Sequence, residues 1–161
     1  MKKRIAFLLL LGACVPLRPQ VLLEPGVSLK DYRAFVVGPV TDETGAAFNL
    51  PVTDSLRAQI GARLRSYGLT VAAAPTDTGA PALLVTSALE GFKGLPLTLQ
   101  LSSPGVTQCV LRSELRDAHS GRRLGEILAS VSDQETKSTP MRLLDECAHD
   151  VADAIERQLR R

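Results

Sequence analysis

The spacing of the apolar residues changes repeatedly along residues 31–161, and these changes limit the folds that the chain can adopt. Residues 32–41 (YRAFVVGPVT) are rich in β-branched and aromatic side chains and predict a strand. A helix is predicted next, because apolar residues recur at helical spacing at Leu56, Ile60, Leu64 and Tyr67. Thr53 or Asp54 is its expected N-cap, and Gly68 is the expected left-handed residue at its end. Residues 69–74 and 81–92 then predict two strands, so this half of the chain indicates a βαβ unit with a right-handed crossover.

The second half of the chain predicts an antiparallel hairpin and a final helix. In residues 107–117 apolar and charged side chains alternate, with Cys109, Leu111 and Leu115 on one face and Arg112, Glu114 and Arg116 on the other. A turn containing Gly121 leads to a partner strand at residues 124–133. Ser138, Thr139 and Pro140 predict the start of a helix whose apolar stripe consists of Leu144, Cys147, Ala148, Val151, Ile155 and Leu159.

These patterns together predict an α/β (α+β) domain in the order β-α-β-β-β-β-α. The simplest packing is a mixed four- to five-stranded sheet with the two helices on one of its faces.

Three stretches of this domain resemble small bacterial lipoproteins of uncharacterised families: LKDYRAFVVGPV, VTDSLRAQIGARLRSYGLTVA and RSELRDAHSGRRLGEI. The layout is also similar to the amino-terminal domain of the Tol translocation protein and to periplasmic assembly lipoproteins. The resemblance covers most of residues 29–161, and its fixed points are Gly68 and the turn from Asp117 to Gly121. It implies a cell-envelope protein, and a shared fold by itself implies little about activity.

The amino terminus predicts an export signal. Three basic residues at positions 2–4 precede seven apolar residues, which are too few to span a bilayer, and Gly12, Ala13 and Cys14 follow. Leu11-Gly12-Ala13-Cys14 resembles the bacterial lipobox. This resemblance implies cleavage after residue 13 and acylation of Cys14 with a diacylglyceryl group and a further chain such as palmitate. Two or more acyl chains anchor a protein stably in a membrane. The alternative is an ordinary secretory signal. Val15, rather than Asp, favours the outer membrane with the domain facing the periplasm.

These features predict three regions, a signal peptide at residues 1–13, a lipidated cysteine and tether at 14–30, and one globular periplasmic domain at 31–161. Three prolines between residues 15 and 30 favour an extended tether. Without Lys2, Lys3 and Arg4, 16 of the 19 basic residues remain against 17 acidic ones, so the mature chain is nearly neutral. This charge and the absence of a basic run argue against nucleic acid as a partner.

Cys109 and Cys147 lie on predicted core faces of elements that should pack together. In an oxidising compartment they predict a disulfide, although sheet and helix must approach closely for the Cα atoms to come within about 7 Å. The alternative is two separately buried thiols.

A leucine-rich stretch at residues 95–101 (LPLTLQL) places Leu95, Leu97, Leu99 and Leu101 on one side if it is extended. One interpretation is a strand facing the core. The other is an apolar contact surface for lipid or a partner, because Pro96 and Pro104 disfavour a central strand.

No motif in the sequence predicts catalysis, a cofactor or a metal. His119 falls in the predicted turn, and His149 is expected on the outer surface of the last helix, solvated or paired with Asp145. Ser120 beside His119 reads as turn chemistry, without a nucleophile-elbow sequence. We therefore predict a non-catalytic envelope lipoprotein that binds a protein partner as an assembly accessory. The alternatives are a lipid or lipopolysaccharide carrier and a subunit of a homo-oligomeric export assembly.

Overall fold

A computed structural model of the chain describes residues 18–45, 51–77, 80–93, 107–133 and 139–161. Two helices, α1 (Val52–Ser66) and α2 (Pro140–Arg160), accompany six strands. The strands are β1 (Gln20–Leu23), β2 (Ala34–Asp42), β3 (Thr70–Ala72), β4 (Ala82–Lys93), β5 (Thr107–Asp117) and β6 (Arg123–Asp133). They form one sheet in the order β1-β6-β5-β4-β2-β3, in which β2 is parallel to β3 and β4 while the other pairs are antiparallel. The predicted mixed α+β class is confirmed.

Both helices pack on the same face of this sheet. Leu56, Ile60 and Leu64 of α1 are fully buried, as is the α2 stripe from Leu144 to Ile155 that the sequence predicted, and all belong to one hydrophobic cluster with alternate residues of β4, β5 and β6. The alternation predicted for residues 107–117 is confirmed, because Cys109, Leu111 and Leu115 are buried at 0% exposure. Among the described residues no helix lies on the opposite face of the sheet, which we call the open face.

The sheet has one strand more than the predicted four to five. The additional strand is β1, which lies in the segment expected to be a tether and pairs with β6 from Gln20↔Leu128 to Leu23↔Gly125. Its side chains Val21 and Leu23 pack against the core. Gly125, which has a φ of 156°, permits this close approach because it has no side chain. A Cβ atom added to it would lie 2.4 Å from the carbonyl oxygen of Leu22. The pairing partner is more than one hundred residues away in sequence, so local patterning could not reveal this strand.

The helix ends agree with the sequence at two of the three predicted points. Helix α1 begins at Val52 with Pro51 as the N-cap, so the N-cap predicted at Thr53 or Asp54 is wrong: both residues lie inside the first turn. Gly68 has a φ of +77° and ends α1 as predicted. In α2 the predicted start is confirmed, because the Thr139 hydroxyl accepts a hydrogen bond from the backbone N–H of Arg142 at 3.3 Å. No helix within the described ranges is sufficiently long and apolar to cross a membrane.

Candidate functional site

Two of the predicted sites lie outside the described residues. These are the lipidation site Cys14 and the leucine stretch with Leu95, Leu97, Leu99 and Leu101. Lipidation and the two interpretations of the leucine stretch therefore stay predictions.

The structure brings the predicted cysteine pair together in the core between β5 and α2. Both side chains are fully buried, and the Cys147 Sγ lies 3.5 Å from the backbone carbonyl oxygen of Cys109. A hydrogen bond with the Cys109 side chain, together with burial, raises the pKa of the Cys147 thiol, so neither burial nor contact favours a reactive thiolate. Both residues are free thiols in the structure, and the disulfide between them stays a prediction.

A polar contact links the outer surfaces of the two helices. His149 is exposed, as expected, but its neighbour is Tyr67, whose hydroxyl lies 3.3 Å from Nδ1 of the imidazole. The pairing considered between His149 and Asp145 is wrong, because Asp145 accepts a hydrogen bond from Arg63 of α1 at 2.6 Å. The Arg63 and Asp145 side chains are 39% and 42% exposed, so solvent screens this ion pair and it adds little stability. These two contacts join the outer surfaces of α1 and α2.

The predicted turn after β5 is organised by Asp117. One carboxylate oxygen accepts hydrogen bonds from the backbone N–H of Ser120 at 2.7 Å and from the Ser120 hydroxyl at 2.8 Å. The other oxygen accepts a bond from the Tyr32 hydroxyl at 2.9 Å. The Ser120 hydrogen bonds lower the pKa of Asp117 to about 2. His119 lies in the turn as predicted, and the Ser120 hydroxyl bonds to Asp117 within it, which agrees with the interpretation of Ser120 as turn chemistry.

The open face carries a connected set of charged side chains from β5, β6 and the residue after β1. Glu114 of β5 and Glu126 of β6 are directly opposite each other, an arrangement that is repulsive without a cation. Arg123 lies between them, with its Nε 3.3 Å from Glu114 and its Nη2 2.8 Å from Glu126. The same guanidinium reaches Glu24 at 3.3 Å, and a separate pair joins Arg112 to Glu90 at 2.7 Å.

A cavity of about 410 Å³ lies on the open face beside this charged set. Its floor consists of small and hydroxyl-bearing residues of β4, including Thr86 and Ala88, and its walls include Arg112, Glu114 and Pro39. The cavity thus offers guanidinium donors, carboxylate acceptors and a hydroxyl on a rigid sheet. Groups of this kind fix the orientation of a bound polar partner, because little side-chain freedom remains to be lost.

A second cavity of about 520 Å³ lies where α1 meets the β2–β3 edge of the sheet. Arg57 of α1 lines it and donates from Nε to the carbonyl oxygen of Val37 at 3.1 Å. Gly61 and Ala58 line the helix side. Because the Arg57 side chain already donates to the carbonyl oxygen of Val37, both groups are less available to a ligand than the charged groups on the open face.

Metal ligation finds no support in the part of the chain that the structure describes, where no group of three or more His, Cys, Asp or Glu side chains converges. The open face offers hydrogen-bonding and charged groups, including Arg112, Glu114 and Thr86.

No protein-family model matches the sequence, and no curated protein matches it. Solved structures do share the fold. PelC from Paraburkholderia phytofirmans, solved as a dodecamer, is similar with a TM-score of 0.63 at 14% identity, over 84% of this chain and 97% of that one. A DUF330 protein from Xanthomonas campestris gives a TM-score of 0.55 at 11% identity, over 83% and 86%. A lipoprotein from Neisseria meningitidis gives 0.50 at 16% identity, over 77% and 98%.

The resemblance to small bacterial lipoproteins is thus confirmed at the level of the fold. The similarity to the Tol domain stays a prediction. Sequence reasoning placed Arg112, Glu114 and Arg116 on one face of β5, but it missed the contributions of Arg123 and Glu24. The signal for these two was weak, because their position beside β5 depends on the strand register and not on local spacing.

Proposed function

We propose that this protein is a lipid-anchored accessory of the bacterial outer membrane that faces the periplasm and binds an envelope protein without catalysis. The observation that carries the proposal is the open face, where the six-stranded sheet has no covering helix among the described residues and presents paired charges around a cavity. The fold shared with bacterial lipoproteins supports the envelope setting.

The charges of the open face suit selection of a partner more than tight anchoring. Along β5, Arg112, Glu114 and Arg116 alternate in sign on this face, and each has an ion-pair partner. A partner must present the opposite alternation to avoid like-charge contacts, which cost several kcal/mol in a wrong complex. Because the side chains are already held by their ion pairs, a matching partner loses little additional side-chain freedom on binding.

A second candidate function is that of a subunit in a homo-oligomeric envelope assembly. It is favoured by the fold shared with PelC, which is a dodecamer. The lipid-carrier alternative required an apolar groove between the helices and the sheet. Among the described residues that space is filled by side chains at or near 0% exposure, such as Leu64, Leu89 and Val151.

The anchoring half of the proposal is tested by replacing Cys14 with Ser. The variant lacks the thiol to which the acyl group would be attached, so we expect it to lose fatty-acid label and to leave the membrane fraction. The matched control is Cys147→Ala, which keeps Cys14 and should keep the label. Fatty-acid label that persists in Cys14→Ser would contradict the lipidation.

The binding half is tested by site-specific photo-crosslinking in cells. A photoreactive amino acid replaces Ala88, which lines the open-face cavity, or Ala62, which is exposed on α1. We expect a crosslinked envelope protein from position 88 and none from position 62. A product containing only this chain supports the homo-oligomeric candidate, bound lipid supports the carrier, and equal products from both positions contradict a site on the open face.

A further inference from the structure

The two edges of the sheet differ in how well they are protected against pairing with another strand. At one edge, β3 is only three residues long, β2 is irregular between Val37 and Val40, and Arg57 occupies the Val37 carbonyl oxygen. Irregularities and occupied carbonyls are the means by which proteins block edge pairing. At the other edge, β1 is the last strand of the sheet within the described residues, and its sequence QVLL contains neither charge nor proline.

The hydrogen bonding of β1 to β6 defines which backbone groups point away from the sheet. Glu24 donates its N–H to the carbonyl oxygen of Leu124 at 2.9 Å, in the same register as Leu22↔Glu126. In an antiparallel pair, alternate residues direct both backbone groups to the partner and the residues between them direct both groups outward. The outward residues of β1 are therefore Val21 and Leu23. Pro19 and Pro25, which lack an N–H, flank them.

We propose that the outer edge of β1 pairs with the same edge of a second copy of this chain, in an antiparallel two-fold contact centred on Val21. In this register Val21 lies opposite Val21 of the second copy, and the two residues exchange two N–H···O bonds. Leu23 donates to the carbonyl oxygen of Pro19 of the second copy, and the symmetric bond completes a set of four.

The side chains in this register are complementary at both ends of the contact. Arg18 lies directly opposite Glu24 of the second copy, and the two-fold axis repeats the pair. If the extended backbone of β1 continues to residue 18, strand alternation places both side chains on the open face, where opposite charges across a strand pair stabilise pairing. Within the described part of the chain Arg18 has no ion pair of its own, while Glu24 is held by Arg123 at 3.3 Å.

An exposed apolar side chain supports the same register. Leu22 is 60% exposed, and it is one of the two large hydrophobic residues exposed in the described chain. The proposed register makes Leu22 a diagonal neighbour of Leu22 of the second copy, a spacing of about 7–8 Å that long side chains bridge. The contact thus covers an apolar residue that the monomer leaves in water.

This contact is isologous, so it closes at a dimer and extends the sheet to twelve strands across two copies. It uses neither the lipid anchor nor a residue that lines the open-face cavity; Glu24 does contact Arg123 of that cavity, so Arg18→Glu is the variant that changes the β1 contact alone. A failure of the β1 contact therefore leaves the proposed function intact, and the reverse also holds.

A charge-exchange experiment tests the register. The full-length protein is co-expressed with two different affinity tags, extracted in mild detergent and captured through one tag while the other is quantified. Arg18→Glu alone and Glu24→Lys alone each place like charges at both ends of the contact, so we expect capture to fall roughly tenfold or more. Mixing Arg18→Glu chains with Glu24→Lys chains places opposite charges at both ends and should restore capture to near the wild-type value.

A proline pair supplies the matched control for the backbone bonds. Val21→Pro removes an outward N–H, which edge strands tolerate, and replaces an apolar side chain that packs on the core, so the variant should lose self-capture with a smaller fall in melting temperature than Leu22→Pro. Leu22→Pro removes an N–H directed to β6 and should lower the melting temperature. The proposal is overturned if wild-type copies do not capture each other, if Arg18→Glu leaves capture unchanged, or if the mixture fails to restore it.

Discussion

A hydrogen bond between two serines inside the core offers a sharp test of how this fold is stabilised. Ser87 of β4 and Ser113 of β5 are opposite each other in register, 6% and 0% exposed, and their hydroxyl oxygens are 2.8 Å apart. They are the two buried polar residues of the described chain, and they lie on the sheet face that the helices cover. Each hydroxyl therefore depends on the other for its hydrogen bond.

The expected energies follow from this dependence. Ser87→Ala or Ser113→Ala breaks the bond and leaves one buried hydroxyl unsatisfied, so each single change should lower the free energy of unfolding by about 1–3 kcal/mol. The double change removes both polar groups, so it should cost less than about 1 kcal/mol. The two single effects sum to about 2–6 kcal/mol and the double change costs less than about 1 kcal/mol, so the coupling energy of the double-mutant cycle should be at least about 1 kcal/mol. Each kcal/mol lowers the melting temperature by roughly 3–5 °C for a domain of this size.

The assay is urea unfolding followed by circular dichroism for the four proteins of the cycle. Ser130→Ala on the open face is the control, because that side chain is half-buried and forms no hydrogen bond in the structure; it should change stability by less than about 0.5 kcal/mol. Single changes whose effects are small and simply add in the double variant would refute the reasoning, since they would mean that the two hydroxyls do not depend on each other.

Three further predictions concern the turn, the β1 crossing and the thiols. The pKa of Asp117 is about 2, against 3.8 for an unperturbed Asp carboxyl group. The stabilisation from its ionised form is therefore present above about pH 4 and is lost as the pH falls through about 2. An acid titration of the free energy of unfolding should show this loss, of about 1 kcal/mol after solvent screening, in the wild type and not in Asp117→Ala. Gly125→Ala should lower the free energy of unfolding by about 2–3 kcal/mol, measured by thermal unfolding, because the new Cβ would lie 2.4 Å from the backbone of β1. The control Gly121→Ala should lower it by only about 1 kcal/mol, because the site has a φ of +71° but open space around it. Mass analysis without reductant of protein taken from the oxidising compartment should show Cys109 and Cys147 joined, and two free thiols there would refute the bridge.

Much of the fold could be predicted because its signals are local. The helical spacing of Leu56, Ile60 and Leu64, the strand alternation around Leu111, and the cap at Thr139 depend on side chains a few residues apart. Each of these elements is present in the structure near its predicted bounds. The N-cap of α1 was missed because Thr53 and Asp54 resemble caps in composition, while Pro51 takes that position without a side-chain hydrogen bond.

The candidate site was predicted less completely, because it is made by register. Alternation placed Arg112 and Glu114 on one face, but nothing local indicates that Arg123 would lie between Glu114 and Glu126. The same holds for Ser87 and Ser113, two serines on different strands that only the β4–β5 register brings within 2.8 Å.

The sequence by itself determined the class of fold, both helices, most of the strands and the face of β5 that is charged, since all of these depend on periodicities that each element imposes on its own residues. Only the tertiary structure decided that residues 20–23 form a sixth strand and that Asp145 pairs with Arg63 and not with His149. It also decided that one edge of the sheet is blocked while the β1 edge has no partner strand among the described residues. These features are contacts between residues far apart in the chain, whose geometry exists only once the sheet has its register and the helices have packed on it.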